Sequence, residues 1–386
     1  MTTRREFLAA EPLRRLASRG EEPPAAASIA LPGHTLRLGL PAMASDFEVI
    51  LNPHSQGQMA GASEALDLIA RLEDQLSVYR PASELSRINA QAHLGPVRVE
   101  RRLWELLEQT LRYARETDGA FDPTAGPLVS LWRRCRAERR IPTAGELDAA
   151  RKRLGANEVT LDHQQQTIQF HRPGIELNLN AIGKGYALDR AAELLLNRTD
   201  STDRPEAATN TGEVAAVPVK NPSDETPVPS GDSCADDSWL MHGGYSSLLA
   251  RGGLGGGEGW PIALRHPLFP GRELATIRLK NQALSTSGSA VQFFRVGGKR
   301  YGHLLDPRTG WPVEGMLSVS VLAPTAAEAE ALSTAFFVLG VEKAQSYCHN
   351  YPEVAALLVP APVRGGRLEP VTCGIPPGDL EWNAEL

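Results

Sequence analysis

The stretch MLSVSVLAPTAAEAEALSTAFFVL, residues 316–339, places a strand directly before a helix. Met316–Leu322 is rich in the branched apolar residues typical of strands. Thr325 followed three residues later by Glu328 is a capping-box signature, because each side chain can satisfy a free backbone N–H at a helix start. The pattern therefore predicts a helix over Ala326–Leu339.

Strands and helices follow one another along the rest of the chain without regular alternation. Hydrophobic spacing predicts helices over Gly61–Tyr79, Val99–Thr117, Ala144–Leu154, Gly185–Leu196 and Val341–Asn350. Strands are predicted near Thr35–Leu40, Asp46–Leu51, Glu158–Asp162, Thr167–His171, Glu176–Leu179, Trp239–His242, Ser247–Arg251, Pro261–His266, Leu274–Lys280, Ala283–Ser287, Gln292–Val296 and Val354–Val359. This mixed order predicts an α+β fold.

Composition excludes several classes of protein. Of the 386 residues, 42% are hydrophobic and 22% are charged, which is typical of a globular chain. The net charge is −6, so no basic surplus indicates nucleic acid as a partner. No apolar run is long enough for a transmembrane segment. The cysteines are far apart and form no CxxC, which makes a zinc site or a disulfide framework unexpected.

Two segments differ from the rest in composition. Residues 1–34 form an Arg-rich, then Glu- and Pro-rich leader that we expect to be disordered, with the catalytic unit over 35–386. Residues 199–238 hold nine acidic residues against two basic ones and no aromatic residue, which predicts a disordered acidic insertion. Arg4-Arg5 resembles the start of a twin-arginine export signal, but charged residues follow it, so a polar leader and an atypical signal both stay open.

The predicted helix over Ala326–Leu339 offers a pair of oxygen ligands. Glu330 and Thr334 are spaced i, i+4 and therefore lie one turn apart on the same side of the helix. A carboxylate and a hydroxyl are hard ligands suited to Mg²⁺. Glu330 lies off the apolar face, so we expect a surface-like side chain. The simpler interpretation is a solvated carboxylate beside a helix threonine.

Four further segments carry polar chemistry. The run AIGKGYALD over 181–189 passes from a predicted strand into a helix, and Lys184 with backbone amides there suits a phosphate, although an ordinary turn explains it too. His303 leaves a strand before a turn, where it could act as a base or hold a phosphate, or be structural. The Gly/Pro-rich loop 118–128 and the hydroxyl-rich run 285–289 could bind a flavin or only form turns.

In this order along the chain, these segments resemble the FAD:protein FMN transferase family, also called ApbE. The resemblance runs from about Met43 to Val359. The matching blocks are Met43–Ser45, Tyr79–Asn89, Asp118–Leu128 with Trp132, Ala181–Asp189, Trp239–Gly244, Thr286–Gly288 and His303–Pro307.

The resemblance implies a two-lobed α+β fold of mixed and antiparallel sheets with flanking helices, and an active site in the cleft between the lobes. It also implies Mg²⁺-dependent transfer of FMN from FAD to a Thr or Ser hydroxyl of an acceptor protein, with release of AMP. Metal ligands map to Glu330, Thr334 and a carbonyl of Ala181 or Gly183. Catalytic roles fall on His303 and Lys184. Flavin contacts are expected from Met43, Tyr79, Asp118, Gly119, Ala120, Phe121, Asp122, Lys184, Asp189, Gly243, Gly244, Thr286, Ser287, Gly288 and His303.

Three residues depart from the family pattern: Glu330 replaces the usual Asp, Tyr245 replaces Asp or Asn, and Ala44 replaces Gly. Two alternatives to the transferase stay open. One is an Mg²⁺-dependent FAD pyrophosphatase that gives FMN and AMP, and the other is a non-catalytic flavin-binding protein. The family resemblance suggests export, whereas the sequence holds neither a clean signal peptide nor a lipobox cysteine.

Overall fold

A computed structural model describes the backbone of residues 27–28, 35–53, 55, 58–202, 237–269, 271–289, 293–362 and 366–383. Within these ranges the helices are α1 (Met59–Leu76), α2 (Glu84–Gln91), α3 (Arg101–Glu116), α4 (Gly126–Ala137), α5 (Ala144–Arg151), α6 (Gly183–Thr202), α7 (Ala326–Leu339) and α8 (Val341–Asn350). None of these helices is long and apolar enough to cross a membrane.

The strands form four sheets, of which the largest has eight strands. The strands are β1 (Ala27–Ser28), β2 (Leu36–Ala42), β3 (Ser45–Leu51), β4 (Val97–Arg98), β5 (Val159–Asp162), β6 (Thr167–Phe170), β7 (Trp239–Gly243), β8 (Ser247–Arg251), β9 (Trp260–Arg265), β10 (Glu273–Leu279), β11 (Ala283–Gly288), β12 (Phe293–Val296), β13 (Lys299–Gly302), β14 (Met316–Ala323), β15 (Ala355–Pro360), β16 (Val371–Cys373) and β17 (Leu380–Trp382).

The eight-stranded sheet has the order β16-β15-β14-β11-β8-β7-β3-β2. A four-stranded sheet has the order β1-β9-β10-β17, and a three-stranded sheet has the order β4-β6-β5. Within the described ranges, β12 and β13 form a separate two-stranded hairpin. All of these pairings are antiparallel, which confirms the α+β class.

Alternation along the strands gives the large sheet two buried faces. Val49 and Met241 belong to the main core, which also contains apolar residues of α1, α6 and α7. Their neighbours Ile50 and Leu240 point to the opposite face and belong to a second core shared with β9 and β10. The large sheet is therefore the middle layer, with helices on one face and the four-stranded sheet on the other.

Two helices were missed by the sequence analysis. In α2 the Ser83 hydroxyl accepts a hydrogen bond from the Ser86 amide at 2.9 Å, but the helix is too short for a clear apolar period. In α4 the leading Gly126-Pro127 was assigned to a loop, although proline is tolerated in the first turn of a helix.

The predicted strand over Glu176–Leu179 is wrong. Among the described residues, this segment pairs with no strand. Instead, the Leu177 amide donates to the Asn89 side chain at 2.8 Å and the Asn178 amide donates to the Pro123 carbonyl at 2.7 Å. A side chain and a loop thus satisfy the backbone groups that a strand partner would otherwise satisfy.

The predicted leader and insertion lie mostly outside the described residues. Within the leader, Ala27–Ser28 is an exception, because it pairs with β9 as a short strand rather than being disordered. At the start of the predicted acidic insertion, residues 199–202 still belong to α6, which ends at Thr202. At the other end of the insertion, Ser238 is buried. Residues 203–236 are outside the described ranges.

Candidate active site

The starts of α6 and α7 pack unusually close to each other. A Cβ atom on Gly185 would lie 2.1 Å from the Ala326 carbonyl oxygen, so only glycine allows this approach. The Asp189 carboxylate accepts hydrogen bonds from the amides of Ala326 and Ala327 at 2.7 and 2.9 Å. Burial raises the pKa of Asp189 to about 7, while the two amide bonds act in the opposite direction. Asp189 therefore clamps α7 onto α6.

Glu330 projects from α7 into this contact and is buried, with only 4% of its surface exposed. Its Oε2 atom accepts a hydrogen bond from the Gly185 amide at 2.7 Å, and its Oε1 atom pairs with the Lys184 ammonium. The expectation of a surface-like Glu330 is therefore wrong. The apolar face of α7 does not mark its buried side, because nearly every residue of this helix is buried.

A chain of hydroxyl groups continues from Glu330 toward the large sheet. The Ser333 hydroxyl donates to the Glu330 carbonyl at 3.0 Å and lies 3.0 Å from the Ser287 hydroxyl. Ser287 also lies 3.4 Å from the Thr334 hydroxyl. Thr286, its neighbour on β11, is paired with Ser320 at 2.8 Å. The predicted hydroxyl-rich run is thus brought against the predicted metal-binding turn of α7.

Glu330, Ser287 and Thr334 line a cavity of about 940 Å³. Among the residues predicted from sequence, those that line it are Ala120, Phe121, Asp122, Ala181, Lys184, Gly244, Thr286, Ser287, Gly288, His303, Glu330 and Thr334. We call Lys184, Ser287, Glu330 and Thr334 the inner wall. A volume of this size lies at the upper end of the range for small-molecule sites, which is about 300–1,000 Å³.

The other predicted site residues do not line the cavity: Met43, Tyr79, Asp118, Gly119, Gly183, Asp189 and Gly243. Asp189 has the clamping role described above. Asp118 is exposed and pairs with Lys343 at 3.4 Å. Tyr79 is 58% exposed, and the Arg133 guanidinium lies 5.0 Å from its ring centre. Arg133 does line the cavity, so Tyr79 contacts a cavity-lining residue without lining the cavity itself.

The loop at 118–128 contributes one carboxylate to the cavity. Asp122 Oδ1 accepts hydrogen bonds from the Thr124 amide at 2.7 Å and the Thr124 hydroxyl at 2.6 Å. Burial raises the pKa of Asp122, and these two bonds partly offset that rise. Phe121 beside it is buried and packs edge-on against Tyr113. The loop is thus held both by its own hydrogen bonds and by contact with α3.

The cavity also has an aromatic surface that the sequence analysis did not assign. Trp132, Phe293, Phe294 and Tyr301 line the cavity, and we call them the outer wall. The Trp132 ring centre lies 6.1 Å from that of Phe294 and 5.9 Å from that of Tyr301. The Trp132 indole N–H donates to the Gly310 carbonyl at 2.8 Å. In the sequence, the two phenylalanines of the predicted strand Gln292–Val296 could have indicated this aromatic surface.

A second unassigned cluster borders the cavity at the end of β7. His242 is fully buried, and its Nε2 atom lies 3.2 Å from the Glu48 carboxylate. Its ring stacks on Tyr245 with ring centres 4.1 Å apart, and both Glu48 and Tyr245 line the cavity. Burial lowers the pKa of His242, which Glu48 partly opposes. The sequence feature that could have indicated this cluster is Tyr245, one of the three departures from the family pattern. In the structure Tyr245 adopts φ 58°, which is uncommon for a residue other than glycine.

The residues of the inner wall fit a divalent metal in part. Glu330, Thr334 and Ala181 all line the cavity and offer a carboxylate, a hydroxyl and a carbonyl oxygen. This is a hard oxygen set, and Mg²⁺ typically takes one or two protein carboxylates and completes its shell with phosphates and waters. Gly183 does not line the cavity. Among the described residues, no three His, Cys, Asp or Glu side chains cluster.

Comparison with known proteins decides the family. The model of the ApbE family matches residues 43–202 and 239–358. The chain belongs to the ApbE family. The gap in the match, 203–238, falls in the acidic segment that the sequence analysis assigned to an insertion.

Curated relatives of this ApbE-family chain carry one functional name. This chain is 32% identical to the FAD:protein FMN transferase of Escherichia coli K12 over 280 residues, which is 71% of this chain and 69% of the relative. It is 31% identical to the FAD:protein FMN transferase of Treponema pallidum over 307 residues, which is 78% of this chain and 77% of the relative.

Solved structures of the family share the fold. The ApbE protein of Thermotoga maritima aligns with a TM-score of 0.69 and 26% identity, covering 87% of this chain and 96% of its own. The flavin transferase ApbE of Vibrio cholerae aligns with a TM-score of 0.69 and 25% identity, covering 89% and 98%. The ApbE-like fold expected from sequence is therefore confirmed.

Proposed function

We propose that this chain transfers FMN from FAD to a Ser or Thr hydroxyl of an acceptor protein and releases AMP, with Mg²⁺ as the metal. The observation that carries the proposal is the convergence of Glu330, Thr334, Lys184 and His303 on one cavity in a chain of the ApbE family. The cavity volume of about 940 Å³ suits a dinucleotide better than a small metabolite.

Glu330, Thr334 and the Ala181 carbonyl would hold the metal. Bound there, Mg²⁺ would supply positive charge to the pyrophosphate oxygens. Glu330 Oε1 is paired with the Lys184 ammonium, so a metal ion held by this carboxylate would compete with the ammonium for it. The Lys184 side chain, which is 20% exposed, then neutralises a phosphate as a point charge.

The transfer forms one P–O bond and breaks another. The acceptor hydroxyl oxygen bonds to the phosphorus of the FMN half, the bond from that phosphorus to the AMP oxygen breaks, and AMP leaves. His303 is exposed at the cavity, where it can take the proton from an incoming protein hydroxyl. The Ser287 and Thr334 hydroxyls, which line the cavity, would donate hydrogen bonds to the phosphate oxygens.

The aromatic outer wall supports a planar ligand. Trp132, Phe294 and Tyr301 pack as a cluster beside the cavity, and their rings offer apolar and stacking surface to an isoalloxazine or an adenine. The inner and outer walls therefore suit the two parts of FAD, the pyrophosphate and a ring system.

The test incubates the full chain with FAD and Mg²⁺, with and without a mixture of Ser- and Thr-containing acceptor peptides. We expect flavin fluorescence on the peptide and AMP release that depends on the peptide. Glu330→Gln should abolish both, whereas Glu314→Gln, an exposed glutamate paired with Lys299, should change neither.

The outcome also separates the alternatives. AMP and FMN released at the same rate without peptide would indicate an FAD pyrophosphatase. FAD retained without AMP release in either mixture would indicate a binding protein and overturn the transferase proposal.

A further inference from the structure

The cavity reaches both faces of the large sheet. Ser287 of β11 faces the helices, because its hydroxyl lies 3.0 Å from that of Ser333 on α7. Glu48 of β3 lines the cavity from the opposite face, since side chains alternate along a strand and its neighbours Phe47 and Val49 belong to the main core with the helices. The cavity therefore has a second part, on the side of the four-stranded sheet.

This second part enters the space between the two sheets. Leu264 on β9 and Leu274 on β10 line it from the four-stranded sheet, and Leu357 on β15 lines it from the large sheet. We call Glu48 and these three leucines the inter-sheet arm. Mostly apolar walls with a few placed polar groups are typical of small-molecule sites. Apolar side chains from two facing sheets suit the two faces of a flat ring.

His242 holds the Glu48 carboxylate in place. The two residues lie opposite each other on β7 and β3, and His242 Nε2 lies 3.2 Å from Glu48 Oε2. His242 Nδ1 is buried and has no hydrogen-bond partner among the described residues. Because a buried N–H group is rarely left unpaired, the proton belongs on Nε2, which donates it to Glu48. Burial lowers the pKa of His242, which favours this neutral form.

Glu48 keeps one oxygen for a ligand. Its contact with Arg37, at 3.9 Å, also goes to Oε2, so neither Arg37 nor His242 uses Oε1. A carboxylate oxygen accepts hydrogen bonds and repels a phosphate. In addition, β3 is three strand spacings from β11, or roughly 14 Å at about 4.8 Å each. The group that meets Glu48 is therefore a hydrogen-bond donor well away from a phosphate held at Ser287.

We propose that the inter-sheet arm binds the adenine of FAD and that Glu48 Oε1 accepts a hydrogen bond from its amino group. This inference rests on the proposed function. Adenine presents an amino donor at its edge. The polar edge of the isoalloxazine presents an N–H between two carbonyl oxygens, which a carboxylate repels, so the flavin ring lies at the outer wall. Glu48 is thus a specificity-determining residue, and it belongs to none of the sequence blocks that match the family pattern.

The test compares AMP with IMP, which carries a carbonyl oxygen where AMP carries the amino group. Binding of each nucleotide to the full chain is measured by calorimetry and, independently, by inhibition of peptide flavinylation. We expect AMP to bind roughly tenfold more tightly than IMP, because IMP lacks the hydrogen bond to a charged acceptor and brings two oxygens together.

Glu48→Gln should reverse this preference. The His242 N–H would donate to the amide oxygen, so the amide NH2 group would face the ligand and donate to the carbonyl of IMP. Glu48→Ala should remove the preference without reversing it. In Glu48→Gln, KM for FAD should rise with kcat nearly unchanged, because Glu48 is far from the transferred phosphorus. The control Glu258→Gln, at an 88% exposed carboxylate paired with Arg278, should behave as the wild type.

Equal affinities of the wild type for AMP and IMP would overturn the inference, as would an unchanged preference in both Glu48 variants. Weaker binding of FMN with unchanged binding of AMP in these variants would also overturn it, since the flavin ring would then occupy the inter-sheet arm. The wild-type comparison needs no variant, so the inference stays testable if a variant fails to fold.

These failures differ from a failure of the proposed function. Peptide-dependent AMP release by the wild type, together with any of these three results, would leave the transferase in place and remove only the adenine assignment. A wild type that neither binds FAD nor releases AMP would overturn the proposed function, and the adenine assignment with it.

Discussion

The inner wall has the buried Glu330 at its centre, flanked by the half-buried Lys184, Ser287 and Thr334, and is backed by the starts of two helices. The outer wall depends on the β12–β13 hairpin, whose strands, within the described residues, pair with each other and with no other strand. In the inner wall Glu330 is held by an amide and an ammonium group. In the outer wall Phe293, Phe294 and Tyr301 are half-buried and held by ring contacts and nearby guanidinium groups.

The two walls therefore differ in how firmly their side chains are held in place. Charged groups that act on a phosphate must be fixed in place, and burial with complete hydrogen bonding fixes them. Rings that receive a planar ligand tolerate small movements, because stacking is less directional. We therefore expect substitutions in the inner wall to cost stability and activity together, and substitutions in the outer wall to affect mainly ligand binding.

The largest effect is expected from Glu330→Ala. Removal of the carboxylate leaves the Lys184 ammonium and the Gly185 amide without their partner, which should lower the free energy of unfolding by about 3 kcal/mol. Urea unfolding measures this loss. The matched control Glu314→Ala removes a 71% exposed carboxylate and should cost less than about 1 kcal/mol. Equal losses in both variants would contradict the comparison of the two walls.

Gly185→Ala should come close to that effect. The added Cβ would lie 2.1 Å from the Ala326 carbonyl oxygen and force α6 and α7 apart, at a cost of about 2–3 kcal/mol. Gly183→Ala is the control, since nothing lies within 4 Å of its added Cβ. Thermal unfolding of both variants should show a lower melting temperature for Gly185→Ala alone. A harmless Gly185→Ala would mean that the helix starts are not tightly held.

Asp189→Ala removes the clamp on α7 and should cost about 1–2 kcal/mol. A pH series adds a sharper measurement. Because the folded pKa of Asp189 is raised to about 7, the folded state binds this proton more tightly than the unfolded state. Its contribution to stability is then present at low pH and lost as the pH rises toward 7. Asp189→Asn should lack this decline, and an unchanged pH profile would contradict it.

His242 should make stability rise with pH, in the opposite sense. Burial lowers its folded pKa, so below about pH 6.5 the unfolded state binds the proton more tightly, and stability falls with falling pH by up to about 1.4 kcal/mol per pH unit. Glu48 and Asp46 oppose this shift, and Arg37 reinforces it. His242→Gln should flatten the profile measured by urea unfolding. His349→Gln, at an exposed position of α8, should leave it as in the wild type.

The smallest stability effect is expected in the outer wall, from Phe293→Ala. The Arg300 guanidinium lies 3.9 Å from this ring centre, and such an accessible contact contributes less than about 1 kcal/mol. If the outer wall binds the ring systems of FAD, KM for FAD should rise several-fold with kcat nearly unchanged. Phe269→Ala removes a similar contact with Arg272 outside the wall and should leave KM unchanged. A fall in kcat alone would contradict the division between the walls.

Local signals predicted much of the fold. The bounds of α7 and α8 are those expected from the capping pair Thr325 and Glu328 and from Gly340 between the helices. The predicted strand over Glu176–Leu179 was wrong because the alternating pattern of the sequence does not show the hydrogen-bond partners of this segment, which are Asn89 and Pro123 instead of a strand.

The candidate site was predicted as far as its residues form local motifs. Lys184, Thr286, Ser287, His303, Glu330 and Thr334 all line the cavity, as their blocks suggested. Asp189 belongs to the same block as Lys184, but it points to the start of α7 and clamps that helix. A motif identifies which residues act together, and it does not separate those that face a ligand from those that hold the site in shape.

The amino-acid sequence by itself determined the order of elements, the caps of α7 and the family. Only the tertiary structure decided that Glu330 is buried and that Lys184, 146 residues away, is its partner. The physical reason is that capping and periodicity depend on neighbours within a few residues. Burial and ion pairing depend instead on which distant surfaces pack together, and here that packing brings the starts of α6 and α7 into contact at Gly185.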